Sequence, residues 1–184
     1  MSLATSYDAL VQRLITLAAP WASLYGDSKV VATAVVFAHL GAMLVAGGFA
    51  LAADRSTFRA WRGPAAERPR HLAELRAVHR PVVAGLAVVC ASGVLLFLSD
   101  VKTYAVSLAF GLKLGLVALL LVNGLVMTRA EAALDGAGAD GTGPDGTGPD
   151  GAAAPAWRRL RLAAGASVAL WLATTLVGVV LTNG

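Results

Sequence analysis

FGLKLGLVALLLVNGLVMTR, residues 110–129, is the stretch whose reading decides the fold. One charged side chain, Lys113, lies inside an apolar run that Arg129 closes. An α-helix needs about 20 such residues to cross roughly 30 Å of hydrocarbon. Extended to its polar limits, this candidate span covers residues 103–128. Three further stretches share its character, residues 30–53, 81–99 and 162–183, and none of them contains Asp, Glu, Lys or Arg. A helix buried in a soluble protein is the poorer account, because a chain 57% hydrophobic and 14% charged has the composition of a membrane bundle. The expected fold is all-α: an integral membrane four-helix bundle over residues 29–184, preceded by a separate segment, residues 1–28.

The distribution of charge predicts orientation. The connection over residues 54–80 carries Arg55, Arg59, Arg62, Arg68, Arg70, Arg76 and Arg80, and residues 129–161 carry Arg129, Arg158, Arg159 and Arg161. The opposite side has Arg13, Lys29 and Lys102. The positive-inside rule places both long connections in the cytoplasm and both termini outside, in a cell membrane. Tyr25 and Tyr104 then fall at the outer interface, and Trp61 and Trp157 near the inner one. The net charge of +4 does not point to nucleic acid, since the basic residues cluster in loops without interleaved aromatics.

Residues 1–28 do not read as a signal peptide, because Gln12 and Arg13 interrupt any apolar core. Leu3, Tyr7, Leu10, Leu14, Leu17 and Trp21 recur at helical spacing, which predicts an amphipathic helix lying on the outer surface of the bilayer. Residues 135–155 contain the tandem repeat GTGPDGTGPDG and are expected to form a flexible cytoplasmic linker. Their Asp and Gly content lacks the ligand spacing and closing Glu of a calcium loop.

Polar groups inside the spans are the candidates for function, because lipid makes them costly. Counted from the outer span ends, His39, Cys90 and Lys113 each lie ten residues in, about 15 Å deep at 1.5 Å per residue. No carboxylate shares that level. Lys113 must then be neutral, hydrated, bonded to polar groups, or paired with an anion from a bound cofactor such as haem or from a partner subunit. His39 is either a helix-to-helix hydrogen bond or a ligand to iron or copper. Cys90, the lone cysteine, could complete a soft copper site with His39 or simply pack as a small hydrophobe. His79 begins the second span too far from His39 to share a metal, and His71 is expected to be solvated in the basic connection. Asn123 is expected to donate across helices. Gly111 and Gly115 form a small-residue face opposite Lys113 that suits a helix seam or a second protomer, while Gly41 with Gly48 and Gly85 with Ser92 permit close approach.

The stretches FAHLGAMLVAGGFALAADRSTFRA, residues 37–60, and FGLKLGLVALLLVNGLVMTR resemble the copper resistance protein D family of bacterial integral membrane proteins. The likeness rests on a His-Leu step, a Gly-Gly patch, and a later helix with Lys and then Asn; here these are His39, Leu40, Gly47, Gly48, Lys113 and Asn123. It implies copper uptake or tolerance in the inner membrane, or kinship to b-type cytochromes that hold haem between helices. Three classes of function stay open: a metal- or cofactor-binding protein using His39 and Lys113, a small transporter whose wet crevice these residues line, and an accessory subunit of a membrane complex. An enzyme is not expected, since no nucleophile with a base, paired carboxylates, phosphate loop or HExxH motif occurs.

Overall fold

The computed structural model describes residues 3–64, 68–136 and 154–183. Most of the expected linker, residues 137–153, lies outside the described residues. Six helices follow in order: α1 (Leu3–Asp27), α2 (Lys29–Arg62), α3 (Arg68–Ser99), α4 (Val101–Ala105), α5 (Leu108–Gly136) and α6 (Ala154–Asn183). The helices α2, α3, α5 and α6 are long and apolar enough to cross a membrane. The all-α four-helix bundle is therefore the architecture of this chain.

Helix starts follow local capping chemistry. The Ser28 hydroxyl accepts from the Val31 amide at 3.3 Å, the Asp100 carboxylate from the Thr103 amide at 3.1 Å, and the Ser107 hydroxyl from the Phe110 amide at 3.3 Å. Two such caps in succession make α4 a separate helix, so the third span begins at Leu108 and not at residue 103. Lys113 is then five residues from its helix start, about 7.5 Å at 1.5 Å per residue.

The arginine-rich connection over residues 54–80 is also mostly helix, because α2 runs on to Arg62 and α3 starts at Arg68. Both extensions carry a buried stripe at helical spacing: Asp54, Thr57 and Ala60 on α2, and Arg68, His71, Leu72 and Leu75 on α3. They enclose a core of Leu72, Leu75, Leu134, Trp157 and Leu160 at the arginine-rich end of the bundle. Pro81 lies inside α3, where membrane-type helices tolerate the loss of one backbone hydrogen bond.

Helix α2 packs against both α3 and α6, and α5 packs against α6; among the described residues α3 and α5 form no packed seam. The order in space is thus α3, α2, α6, α5, and across its ends α3 and α5 meet at the Phe97–Phe110 ring stack, with centres 5.1 Å apart, and at the Arg76–Asp135 ion pair. The tightest point is Gly85 of α3, where an added Cβ would sit 2.7 Å from the Ala46 Cβ and 3.4 Å from its Cα. Gly47 makes similar room for Trp171, whose ring lies 3.3 Å from where a Cβ would stand. Ala46, Leu120 and Trp171 form the mid-bundle core.

Helix α1 lies against α3, α4 and α2. Tyr7 donates its hydroxyl to the Ala105 carbonyl at 2.6 Å, and the Trp21 indole donates to the Leu95 carbonyl at 2.8 Å. The apolar stripe expected on one face is divided: Ala18 is buried and Leu14 and Trp21 are half-buried, while Leu10, Leu17 and Leu24 form an exposed row one heptad apart. Such a helix presents one apolar row to the bundle and another away from it.

Replacing Gly85 by Ala should lower bundle stability by about 1–3 kcal/mol through overpacking. Adding Ala46→Gly to that variant should restore most of it, as read by thermal unfolding in detergent. Outside the spans, Tyr104 leans on Phe110 with ring centres 5.5 Å apart. Burial, then Tyr25 and Asp100, hold its phenol above the ordinary pKa of 10.0. The unfolded chain loses this proton first, so stability should fall as pH rises past about 10, and Tyr104→Phe should flatten that slope.

Candidate functional site

The buried face of α2 recurs at helical spacing through Val35, His39, Ala46, Gly47, Asp54 and Thr57. It therefore carries two titratable groups, fifteen residues apart, into the same bundle interior. His39 is 6% exposed, and its Nδ1 stands 3.0 Å from the Ser92 hydroxyl oxygen. Ser92 has one proton, which it donates to the Val88 carbonyl at 2.6 Å. With that proton on the backbone, the tautomer that satisfies the His39–Ser92 pair carries its hydrogen on Nδ1 and leaves Nε2 as a lone-pair nitrogen. That Nε2 is buried and has no hydrogen-bond partner among the described residues.

Small residues clear the space around this imidazole. An added Cβ on Gly93 would meet the His39 Cε1 at 3.4 Å, and one on Gly178 would meet the Lys113 ammonium at 3.4 Å. Lys113 is near enough for its charge to act on the His39 ring, and no carboxylate among the described residues forms an ion pair with it. The Thr174 hydroxyl is likewise buried without a partner. This α4-side station combines a free imidazole nitrogen with an unpaired amine.

Cys90 does not join it. Two residues before Ser92, it points about 200° around α3 at 100° per residue, and its side chain is exposed on the outer face of the bundle. No group of three or more His, Cys, Asp or Glu able to hold a metal occurs among the described residues.

A second station lies toward the arginine-rich end. Asp54 is 1% exposed, takes a hydrogen bond from the Ser167 side chain, and leaves its Oδ2 buried without a partner. Asn123 donates to the Ala163 carbonyl at 2.9 Å, the cross-helix bond expected from its position. Asp54, His79, Asn123, Thr128, Glu131 and Ser167 are the polar groups of an otherwise mainly apolar cavity of about 110 Å³. Its sides belong to α3 and α5, the two spans without a common seam. Ala46, Leu120 and Trp171 stand between this cavity and His39.

Sequence reasoning took Asp54 as the first residue of a loop because the apolar run stops before it. The signal was the period: 39, 46, 47 and 54 share one helical stripe. His71 is likewise a correction, being 5% exposed where solvation was expected. Its Nδ1 and Nε2 lie 3.2 Å from the Ser56 and Thr57 hydroxyls, and its ring stacks on Trp157 at 6.3 Å. The Arg68 guanidinium covers the same Trp157 ring at 5.3 Å. This cluster ties α2, α3 and α6 together where α3 extends past its apolar stretch. A Cβ added at Gly111 or Gly115 would meet nothing within 4 Å among the described residues, so no described helix packs closely on that face.

Comparison with protein-family models, curated proteins and solved structures finds no match to this chain. The site is therefore read from its own chemistry.

Ser92→Ala should cost about 1–3 kcal/mol, the penalty of leaving the His39 Nδ1 donor unmatched. Cys90→Ser should stay within about 0.5 kcal/mol, as an exposed site does. Denaturant melts of the two variants check the contrast, and Cys90 should react with a lipid-soluble maleimide in the folded protein.

Proposed function

We propose that this chain is a small proton-linked permeation protein of the cell membrane, oriented with its arginine-rich end in the cytoplasm. One observation carries the reading: the His39 Nε2 and the Asp54 Oδ2, on one stripe of α2, are both buried without partners among the described residues. Buried polar atoms left unmatched cost about 1–3 kcal/mol each, and ionisable groups within spans mark ion and proton pathways. His39 with Lys113 forms the outer station, and Asp54 with Glu131 the inner one. The contact of Ala46, Leu120 and Trp171 is the barrier between them, which keeps the two stations from joining into an open pore. Water entering the gap between α3 and α5 would complete the inner half of the path.

A second reading has its own support. The lone-pair Nε2 of His39 is the atom that a metal or haem iron would take, which accords with the resemblance to the copper resistance D family. The donor set fits an attachment through one imidazole, with Lys113 placed to meet an anionic group of the cofactor. It does not fit a copper centre of several soft ligands, since Cys90 faces away and Ser92 holds the other ring nitrogen. In a third arrangement, a partner subunit or a second copy would cover Gly111 and Gly115.

The deciding measurement is proton flux through the purified protein in sealed liposomes under an imposed pH gradient. Wild type should relax the gradient, and Lys113→Met and Asp54→Asn should each slow it at least tenfold. Unchanged flux in both variants would overturn the permeation reading. Stoichiometric copper, or a Soret band that His39→Ala abolishes, would establish the cofactor reading instead.

A further inference from the structure

We infer that the cavity between α3 and α5 is a binding site for a small primary ammonium with an apolar body, held by Asp54. The charge of the site selects the sign of its ligand: Asp54 lines it without a cationic partner among the described residues, Glu131 lies within reach of the Arg76 charge, and His79 is the other titratable group of the lining. Asp54 has one oxygen engaged by Ser167 and one, Oδ2, buried and unmatched. An uncompensated carboxylate away from water is costly, and a cation that also brings hydrogen-bond donors relieves both deficits. The Asn123 amide nitrogen directs its two donors elsewhere, to the Ala163 carbonyl at 2.9 Å and toward the Met127 sulfur at 4.0 Å.

The walls select the kind of cation. Val82, Leu86, Leu120 and Met127 supply apolar surface, and the Trp171 ring adds an aromatic face that favours an organic ammonium. A bare alkali or alkaline-earth ion prefers a full shell of oxygens, about six to eight for calcium, which this lining does not offer. The volume, about 110 Å³, is of the order of the roughly 150 Å³ apolar cavity that holds benzene, so the ligand has only a few carbon atoms in the site. Entry is lateral, through the part of the α3–α5 boundary that lies between the Phe97–Phe110 ring stack and the Arg76–Asp135 ion pair. A free amine and the ammonium of an ethanolamine lipid headgroup share this chemistry.

The inference rests on reading Asp54 as the inner station, but it concerns binding and not flux. Protein that binds the amine yet carries no protons would remove only the permeation reading; flux without amine binding would remove only this one. The test titrates the detergent-solubilised full chain with n-butylammonium and follows tryptophan emission. A saturable change is expected, absent in Trp171→Phe and weakened at least tenfold in Asp54→Asn, with n-butanol at least tenfold weaker. Gly124→Leu provides a second variant should Asp54→Asn not fold. Gly124 lines the cavity, and an added Cβ there meets nothing within 4 Å, so the larger side chain should block the site without disturbing the helices. Butanol binding as well as the amine, potassium giving the same change, or full binding in Gly124→Leu would each overturn the site. In nanodiscs, loss of the amine response when phosphatidylethanolamine is included would assign the site to the lipid headgroup, and its persistence to a free amine. Both of those results uphold an ammonium site.

Discussion

The approach of Gly85 to Ala46 governs the geometry of this bundle. Lacking a side chain, Gly85 lets α3 come close enough to α2 that even one added carbon would stand 2.7 Å from its neighbour. Because the two helices run antiparallel, this single contact fixes their register. Seven residues back along α2 lies His39, and seven residues on along α3 lies Ser92, the pair joined at 3.0 Å. Toward the other end the same register brings Thr57 opposite His71. In a membrane setting, where apolar surfaces gain little by meeting one another, such small-residue contacts and cross-helix hydrogen bonds are what hold helices together.

A second consequence of that register is that α2 becomes the shared helix. It packs against α3 on one side and α6 on the other, so its buried stripe is enclosed, while α3 and α5 meet through the Phe97–Phe110 stack and the Arg76–Asp135 ion pair without a continuous seam. The polar groups on that stripe have different surroundings. His39 is covered on the α3 side and meets Lys113 across the interior, whereas Asp54 faces a cavity that opens toward the gap. A mid-bundle core of three residues separates the two, and its largest member, Trp171, occupies room left by Gly47.

Hydrogen-bond arithmetic gives His39 its chemical character. Ser92 spends its proton on the backbone of its own helix and so can only accept from the ring. The proton is thereby held on Nδ1, and the other nitrogen turns into the bundle as a base or ligand. Proton relay and iron ligation both use that same atom, which is why both readings converge on His39 while differing over Lys113.

The sequence by itself determined the four spans, their apolar character and the placement of Asn123, since composition and the length of uninterrupted apolar runs report directly on solvation by lipid. It also marked His39 and Lys113, because a polar group in such a run stands out. Span ends were less legible: α4 and the extensions of α2 and α3 depend on caps and on buried stripes that continue past the last apolar residue. Only the tertiary structure decided that Asp54 and His71 are interior, that Cys90 faces outward, and that α3 and α5 leave a cavity. Those facts depend on which face of one helix meets which face of another. A linear run of residues encodes how hydrophobic a face is, but the register of two packed helices is set by contacts between residues distant in the chain.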